Sequence, residues 1–259
     1  MMLSVAWLAL KRMPRIMCLV FLFITIFLLA FLLLGCTQES SVYSSTFLIR
    51  YSFNKSSSIF PLIEKSFTSK NLTGYEDMIV RTGYLGLCVD VGDDITCTGR
   101  KDFSVLNSIS AVNVYTVNSN TSSTTLDLIA LAADFTDDIV HPYVLIATIV
   151  LSIVQFLALF YVVIPSLPAK HIITKFNLIL APVLALLWGF GSMWTHVAAD
   201  AGQSLVEKAS MGIVQAHIGK KAAALTWTPF TFLLIVALTV VGLYFRDLNK
   251  IIDAVDPKV

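Results

Sequence analysis

The chain has 259 residues, of which 56% are hydrophobic and 14% charged, with net charge +1 and mean hydropathy +0.79. A soluble domain carries about a quarter charged residues, so an ordinary soluble fold is excluded. No basic block is long enough to suggest a nucleic-acid partner.

Residues 1–15 contain Lys11, Arg12 and Arg15 and are expected on the cytoplasmic side of a first transmembrane helix at 16–34. The ending Leu33-Leu34-Gly35-Cys36 also has the look of a cleaved signal or a bacterial lipid-attachment box. The apolar run outlasts the roughly 7–15 residues of a signal core, which favours a retained helix. Cys18 falls just inside the cytoplasmic edge of this span and Cys36 at its outer edge. Cys18 is open to palmitoylation, although an inert membrane thiol explains it as well.

Residues 35–141 are the one long polar segment and are expected to be extracellular and β-rich. Phe47, Ile49, Tyr51 and Phe53 alternate with Leu48, Arg50 and Ser52, which predicts a half-buried strand within 42–53. Residues 54–73 read as a loop. Strand signals return at 78–91 and 95–97, separated by Gly92-Asp93. A glycine at the first position of a two-residue turn suits the mirror-image turns that match strand twist. Counting outward pairs Val91 with Asp94, Asp90 with Ile95, Val89 with Thr96 and Cys88 with Cys97. The cysteines then face each other at a non-hydrogen-bonded site, about 4.5 Å apart at Cα, within reach of a disulfide. Two thiols in an oxidising segment seldom ligate zinc. The closed loop is short, so the bridge contributes about 2–3 kcal/mol. Gly83 and Gly86, just upstream, mark a bulge or a close backbone approach.

Further along, 110–117 alternates as another strand. Leu128, Leu131, Ala132, Phe135 and Ile139 then predict an amphipathic helix over 125–141 leading to Pro142. Asp134, Asp137, Asp138 and His141 would share one face of it. Three carboxylates there are weak candidates for loosely holding Ca2+, and the segment carries twelve acidic against seven basic residues. A solvated helix face is the preferred explanation. Asn54-Lys55-Ser56, Asn71-Leu72-Thr73 and Asn120-Thr121-Ser122 are N-glycosylation acceptors, and all fall in this segment.

A second span is expected at 142–164, closed by Pro165 and Pro168, and a cytoplasmic turn at 165–175 carries Lys170 and Lys175. The third span is placed at 176–197 and a second extracellular loop at 198–226. In that loop Ser204-Leu205-Val206-Glu207 matches a capping box, while the alternation over 212–219 predicts a strand adding to the outer sheet. Lys208, Lys220 and Lys221 run against the charge bias without reversing it. His196 and Asp200 sit at i, i+4, within hydrogen-bonding reach. The fourth span is placed at 227–245, and the cytoplasmic tail 246–259 holds Arg246, Lys250 and Lys258. The spans contain no Asp, Glu, Lys or Arg; apart from His196 at the outer end of the third, only Gln155, Asn177 and hydroxyl residues are polar. Conduction pathways usually need ionisable groups at mid-membrane, which argues against a channel acting alone. Trp188, Trp194, Trp227 and Tyr143 read as interfacial anchors or packing. No catalytic signature appears. The chain is therefore expected to be non-enzymatic and without a cofactor.

Four spans, a long first outer loop and a cysteine pair within it resemble the claudin superfamily. The form Gly-x-x-Gly-x-Cys followed by a second cysteine, here Gly83, Gly86, Cys88 and Cys97, resembles the fungal branch of calcium regulator and membrane fusion proteins induced by mating factor. Claudins proper carry Gly-Leu-Trp before the cysteines. Tyr84 and Leu85 stand there instead, which does not support a paracellular-junction role. The run Gly219-Lys220-Lys221-Ala222-Ala223-Ala224-Leu225-Thr226-Trp227 also resembles the approach to the fourth span in eisosome-associated proteins of cortical membrane domains. The first resemblance implies a four-helix, claudin-like integral membrane bundle with a small extracellular antiparallel β-sheet, at the plasma membrane of mating cells. It implies a role in cell fusion and calcium influx. The partners implied are membrane lipids, a second copy or a trans partner at the cell-contact zone, and calcium channel components. The second resemblance implies a structural organiser of cortical domains.

Overall fold

Among the described residues four helices, Met2–Leu33, Pro142–Val163, Lys170–Ala209 and Lys220–Val255, contain stretches long and apolar enough to cross a membrane, in the first over Met13–Leu33 and in the last over Lys220–Asn249. In this computed structural model the described residues are 2–69, 71–72, 74–92, 94–100, 112–114, 124–164, 168 and 170–255. The chain divides into two units, Met1–Ala30 with Tyr143–Ser192 and Thr226–Val259, and Phe31–Pro142 with Met193–Leu225.

The first unit is helical. Leu22, Leu29, Leu145, Leu184 and Trp188 are buried in it, as blocks this apolar require. Phe21 stacks on Phe232 with ring centroids 5.0 Å apart, and Phe23 lies 6.3 Å from Phe156. Gly189 leaves room for the Phe230 ring, which would lie 2.8 Å from a Cβ at that position. Trp188 is a packing residue: its indole N–H donates to the Thr226 carbonyl at 3.0 Å. Arg15 and Asp247 pair at 3.3 Å. Gln155 and Asn177 are buried, and neither carboxamide is hydrogen-bonded.

The second unit is built on a five-stranded antiparallel sheet of order β4-β3-β2-β1-β7. Its strands are β1 (Ile49–Phe53), β2 (Ile79–Thr82), β3 (Gly86–Val91), β4 (Asp94–Gly99) and β7 (Val214–Ile218). A separate ribbon pairs β5 (Val112–Val114) with β6 (Thr124–Leu126). Alternation puts Ile49, Tyr51 and Phe53 on the buried face with Val80, Leu87, Val89, Val214 and Ala216. Arg50, Arg81, Cys88, Asp90 and His217 take the other face, because side chains alternate along each strand. Leu128, Ile129, Ala132 and Phe135 are also buried, and the Phe135 ring sits 6.5 Å from Tyr51.

Several expected elements are redrawn. The strand expected over 42–53 begins only at Ile49, because Ser41–Ser44 forms a helical turn. Residues 54–73, expected as a loop, contain the helix Phe60–Ser69, whose Ile63 and Phe67 sit one turn apart and are both buried. The stretch 78–91 is two strands, not one. The helix expected over 125–141 starts at Leu128, where the Asp127 carboxylate accepts from the Ile129 and Ala130 amides. It ends at Asp134, and a wider π-turn continues over Phe135–Ile139. Of 110–117, only Val112–Val114 lies within the described residues. The expected capping box at Ser204 starts no helix. The helix Lys170–Ala209 runs through it from the alanines Ala198, Ala199 and Ala201, and the Ser204 hydroxyl donates back to the Ala201 carbonyl. That helix stops where Met211 and Gly212 take left-handed φ of 53° and 75°, with the Gly212 amide donating to the Glu207 carbonyl.

Candidate functional site

The cysteine hairpin occupies one edge of the sheet. β3 and β4 pair Val91 with Asp94, Asp90 with Ile95, Val89 with Thr96 and Cys88 with Cys97, the register expected from the turn. Gly92 has φ +65°, as a primed turn demands, while Asp93 lies outside the described residues. Cys88 and Cys97 form a disulfide with Cα atoms 4.0 Å apart. Cys88 is fully buried.

The two motif glycines face the chain reversal that follows the first long helix. Gly83 and Gly86 bracket the turn between β2 and β3, closed by the Gly83 amide donating to the Gly86 carbonyl at 2.8 Å. A Cβ on Gly83 would run into the carbonyl oxygen of Gly35, and one on Gly86 into that of Cys36 and, at 2.9 Å, that of Thr98. Gly35 in turn abuts the Thr46 carbonyl, and Gly219 abuts that of Phe47. Backbone therefore crosses backbone at four points where only hydrogen fits. Cys36 lies inside this crossing. It is completely buried, holds φ +58° and donates its thiol to the Thr46 carbonyl at 3.5 Å. Burial pushes its pKa up to about 12, with nearby Arg81 opposing weakly. The thiol therefore stays protonated and is sealed from modifying reagents.

Tyr84, between the glycines, is buried and shares a 3.0 Å hydrogen bond with the Thr195 hydroxyl. Burial raises its pKa to about 12, the Thr195 bond opposing. Beside the disulfide, Arg81 pairs with Asp90 at 2.7 Å, both side chains being 17% exposed. Its guanidinium also reaches the Ser44 carbonyl at 3.5 Å and lies 6.0 Å from the Phe47 ring centroid. Arg100, past the end of β4, donates to the Asp137 carboxylate at 2.8 Å and to the backbone carbonyls of Asp137 and Val140 at 3.0 and 3.1 Å. Neither arginine was singled out by pattern. The signal for Arg81 was present as a charge in the middle of an otherwise apolar strand, and such a charge needs a partner.

Arg81→Leu should destabilise the protein by about 1–3 kcal/mol, because it leaves Asp90 half-buried and unpaired. Thermal unfolding of the purified protein reads the loss. The double variant Arg81→Leu/Asp90→Leu should recover part of it, and a purely additive cycle would refute the coupling.

The other expected residues are not drawn together. Asp134, Asp137 and Asp138 are exposed, Asp134 at the end of the α-helix and the other two in the π-turn that follows, and Asp137 is committed to Arg100. Among the described residues no three His, Cys, Asp or Glu side chains are placed to hold a metal ion. His196 and Asp200 stand 3.5 Å apart. Asn54 donates to the Gly212 carbonyl at 2.8 Å and accepts from the Ser56 amide. Asn71 is exposed with φ +58°, and Asn120 lies outside the described residues. Tyr143 is exposed, as is Trp194, whose indole donates to the Ile139 carbonyl.

Comparison with known proteins gives two matches. A family model described as Ca2+ regulator and membrane fusion protein Fig1 matches residues 65–246, which include the hairpin, the glycine turn and the last three long helices. Factor-induced gene 1 protein of Saccharomyces cerevisiae is 39% identical over 273 aligned residues, which cover 98% of this chain and 91% of that protein.

Proposed function

Because the chain belongs to the Ca2+ regulator and membrane fusion protein Fig1 family, we propose that this multi-pass membrane protein is a non-enzymatic component of the plasma membrane. In this reading it supports cell fusion during mating and the calcium influx that accompanies it. The observation that carries the reading is the placement of Gly83, Gly86, Cys88 and Cys97. All four lie within the matched residues and build a stapled edge of the sheet, where β4 is largely exposed. An open strand edge is a ready surface for association with another chain, and lateral or trans association at the cell-contact zone follows from it. Calcium entry then runs through partners such as channel components.

The fold is taken as claudin-like, with 35–141 and 198–226 extracellular and both termini cytoplasmic. Support comes from β1 and β7, which derive from those two segments and pair over Ile49–Phe53 and Val214–Ile218. Hydrogen-bonded strands must share one side of the membrane. Of the sequon asparagines among the described residues, Asn71 is more exposed than Asn54.

A deletion strain scored for mating fusion and for Ca2+ uptake tests the reading. Both should fall, and expression of this chain should restore both. Normal values for both in the deletion strain would overturn it. A tagged protein held in static cortical patches during mating would favour the cortical-organiser reading instead.

A further inference from the structure

We propose that the cavity at the start of the fourth long helix is an anion site that takes the phosphate monoester headgroup of an anionic phospholipid. The cavity measures about 730 Å³ and is lined by Arg50, His217, Lys220 and Lys221, with Ser45 and Gln203 as neutral polar neighbours. No carboxylate lines it. The inference is independent of the family's proposed role.

Three features of the chain converge on this cavity. Arg50 and His217 are register partners across β1 and β7, so both project from the same face of the sheet, opposite the core. Lys220 and Lys221 open the helix Lys220–Val255, whose N-terminal dipole end has the same sign. The lysines are brought beside Arg50 by the close crossing at Gly219, where glycine lets the chain touch the Phe47 backbone. Lys221 is steadied by a 2.9 Å bond to the Ser45 hydroxyl.

Charge pairing sets this group apart. Elsewhere in the same unit Lys55 pairs with Asp77, Arg81 with Asp90 and Arg100 with Asp137. Among the described residues no carboxylate lies within ion-pair distance of Arg50, His217, Lys220 or Lys221. Three uncompensated cations, Arg50, Lys220 and Lys221, converge on one cavity in a unit otherwise rich in acid, and they select an anionic ligand. A guanidinium fork flanked by lysines matches a phosphate ester. The volume exceeds what a bare ion fills and suits a headgroup. Lys220 and Lys221 also stand about two turns ahead of the apolar run beginning at Trp227 on their own helix, which is the depth of the headgroup region flanking an apolar span.

The test uses the full-length protein in neutral detergent, titrated with short-chain phosphatidate, short-chain phosphatidylcholine or inorganic phosphate, with binding read by thermal shift and by thermophoresis. Phosphatidate should bind saturably, at least tenfold more tightly than either comparison ligand, and should weaken as salt is raised. Arg50→Gln/Lys220→Gln should lower its affinity at least tenfold, while the melting temperature without ligand stays within about two degrees of wild type, because both side chains are outside the core. Arg50→Lys, which keeps the charge but loses the fork, should bind more tightly than Arg50→Gln, which separates loss of charge from loss of fold. Equal affinity in wild type and the double variant would overturn the site. Inorganic phosphate binding as tightly as phosphatidate would overturn the assignment to lipid. Phosphatidylcholine binding as tightly as phosphatidate would show that the site does not select a net anionic headgroup, and would overturn the anion site.

Discussion

Gly86→Ala is expected to remove the protein from the cell surface. The added methyl would collide with two carbonyl oxygens, those of Cys36 and Thr98. Both belong to backbone: one is held by the reversal after the first long helix, the other by the β3–β4 ladder. Ordinary overpacking costs about 1–3 kcal/mol because side chains rotate away. Here nothing rotates, so the cost should reach the top of that range or exceed it. That is a large part of a total stability of about 5–15 kcal/mol. Gly83→Ala should behave similarly, since it meets the Gly35 carbonyl. Gly99 provides the control: it lies on the same hairpin, has nothing near its missing Cβ and has no positive φ. Surface biotinylation of tagged variants should show Gly99→Ala near wild type and Gly86→Ala nearly absent. Equal surface levels would mean that the motif glycine is not needed for close approach.

Cys88→Ser should come next in severity. It removes a bridge whose short loop is worth about 2–3 kcal/mol and leaves the half-buried Cys97 thiol free in a segment proposed to be oxidising. The lost stability and the orphan thiol act separately. Cys88→Ala/Cys97→Ala removes the same bridge without the thiol, so its surface level should exceed that of Cys88→Ser. Non-reducing gels should show disulfide-linked oligomers for the single variant and none for the double. Matching behaviour of the two would assign the whole effect to stability.

The hairpin could be read from sequence because three local signals agreed: a glycine suited to the turn, alternation on both arms and a cysteine at matching distance on each. β7 was readable for the same reason, since alternation over 212–219 survives inside a polar loop. What failed was information that lives in other parts of the chain. Gly83 and Gly86 announced a close approach, but nothing local named Gly35 and Cys36 as the partners. The helix Phe60–Ser69 was hidden by its polar surface, with only Ile63 and Phe67 to mark the buried stripe. The box at Ser204 failed because capping is a preference of helix starts, and it does not stop a helix already under way. The acidic face at 134–141 was computed for α-helical spacing, which the π-turn does not keep. The basic cavity needed β1, β7 and the fourth helix together, so Arg50 and Lys220 look unrelated along the chain.

The β1–β7 ladder also has a history in the making of the chain. Strands β1 to β4 are close in sequence and can pair as soon as they leave the ribosome. The edge of β1 must then wait for residues 214–218, which arrive only after two more long helices have been made. Contacts this distant in sequence form late, and until then β1 shows bare amides and carbonyls to any passing strand. The ladder closes only if an even number of membrane crossings separates its two halves. A helix that fails to insert leaves β7 on the wrong side, and the sheet stays open. An error of topology would therefore leave an edge of the sheet exposed.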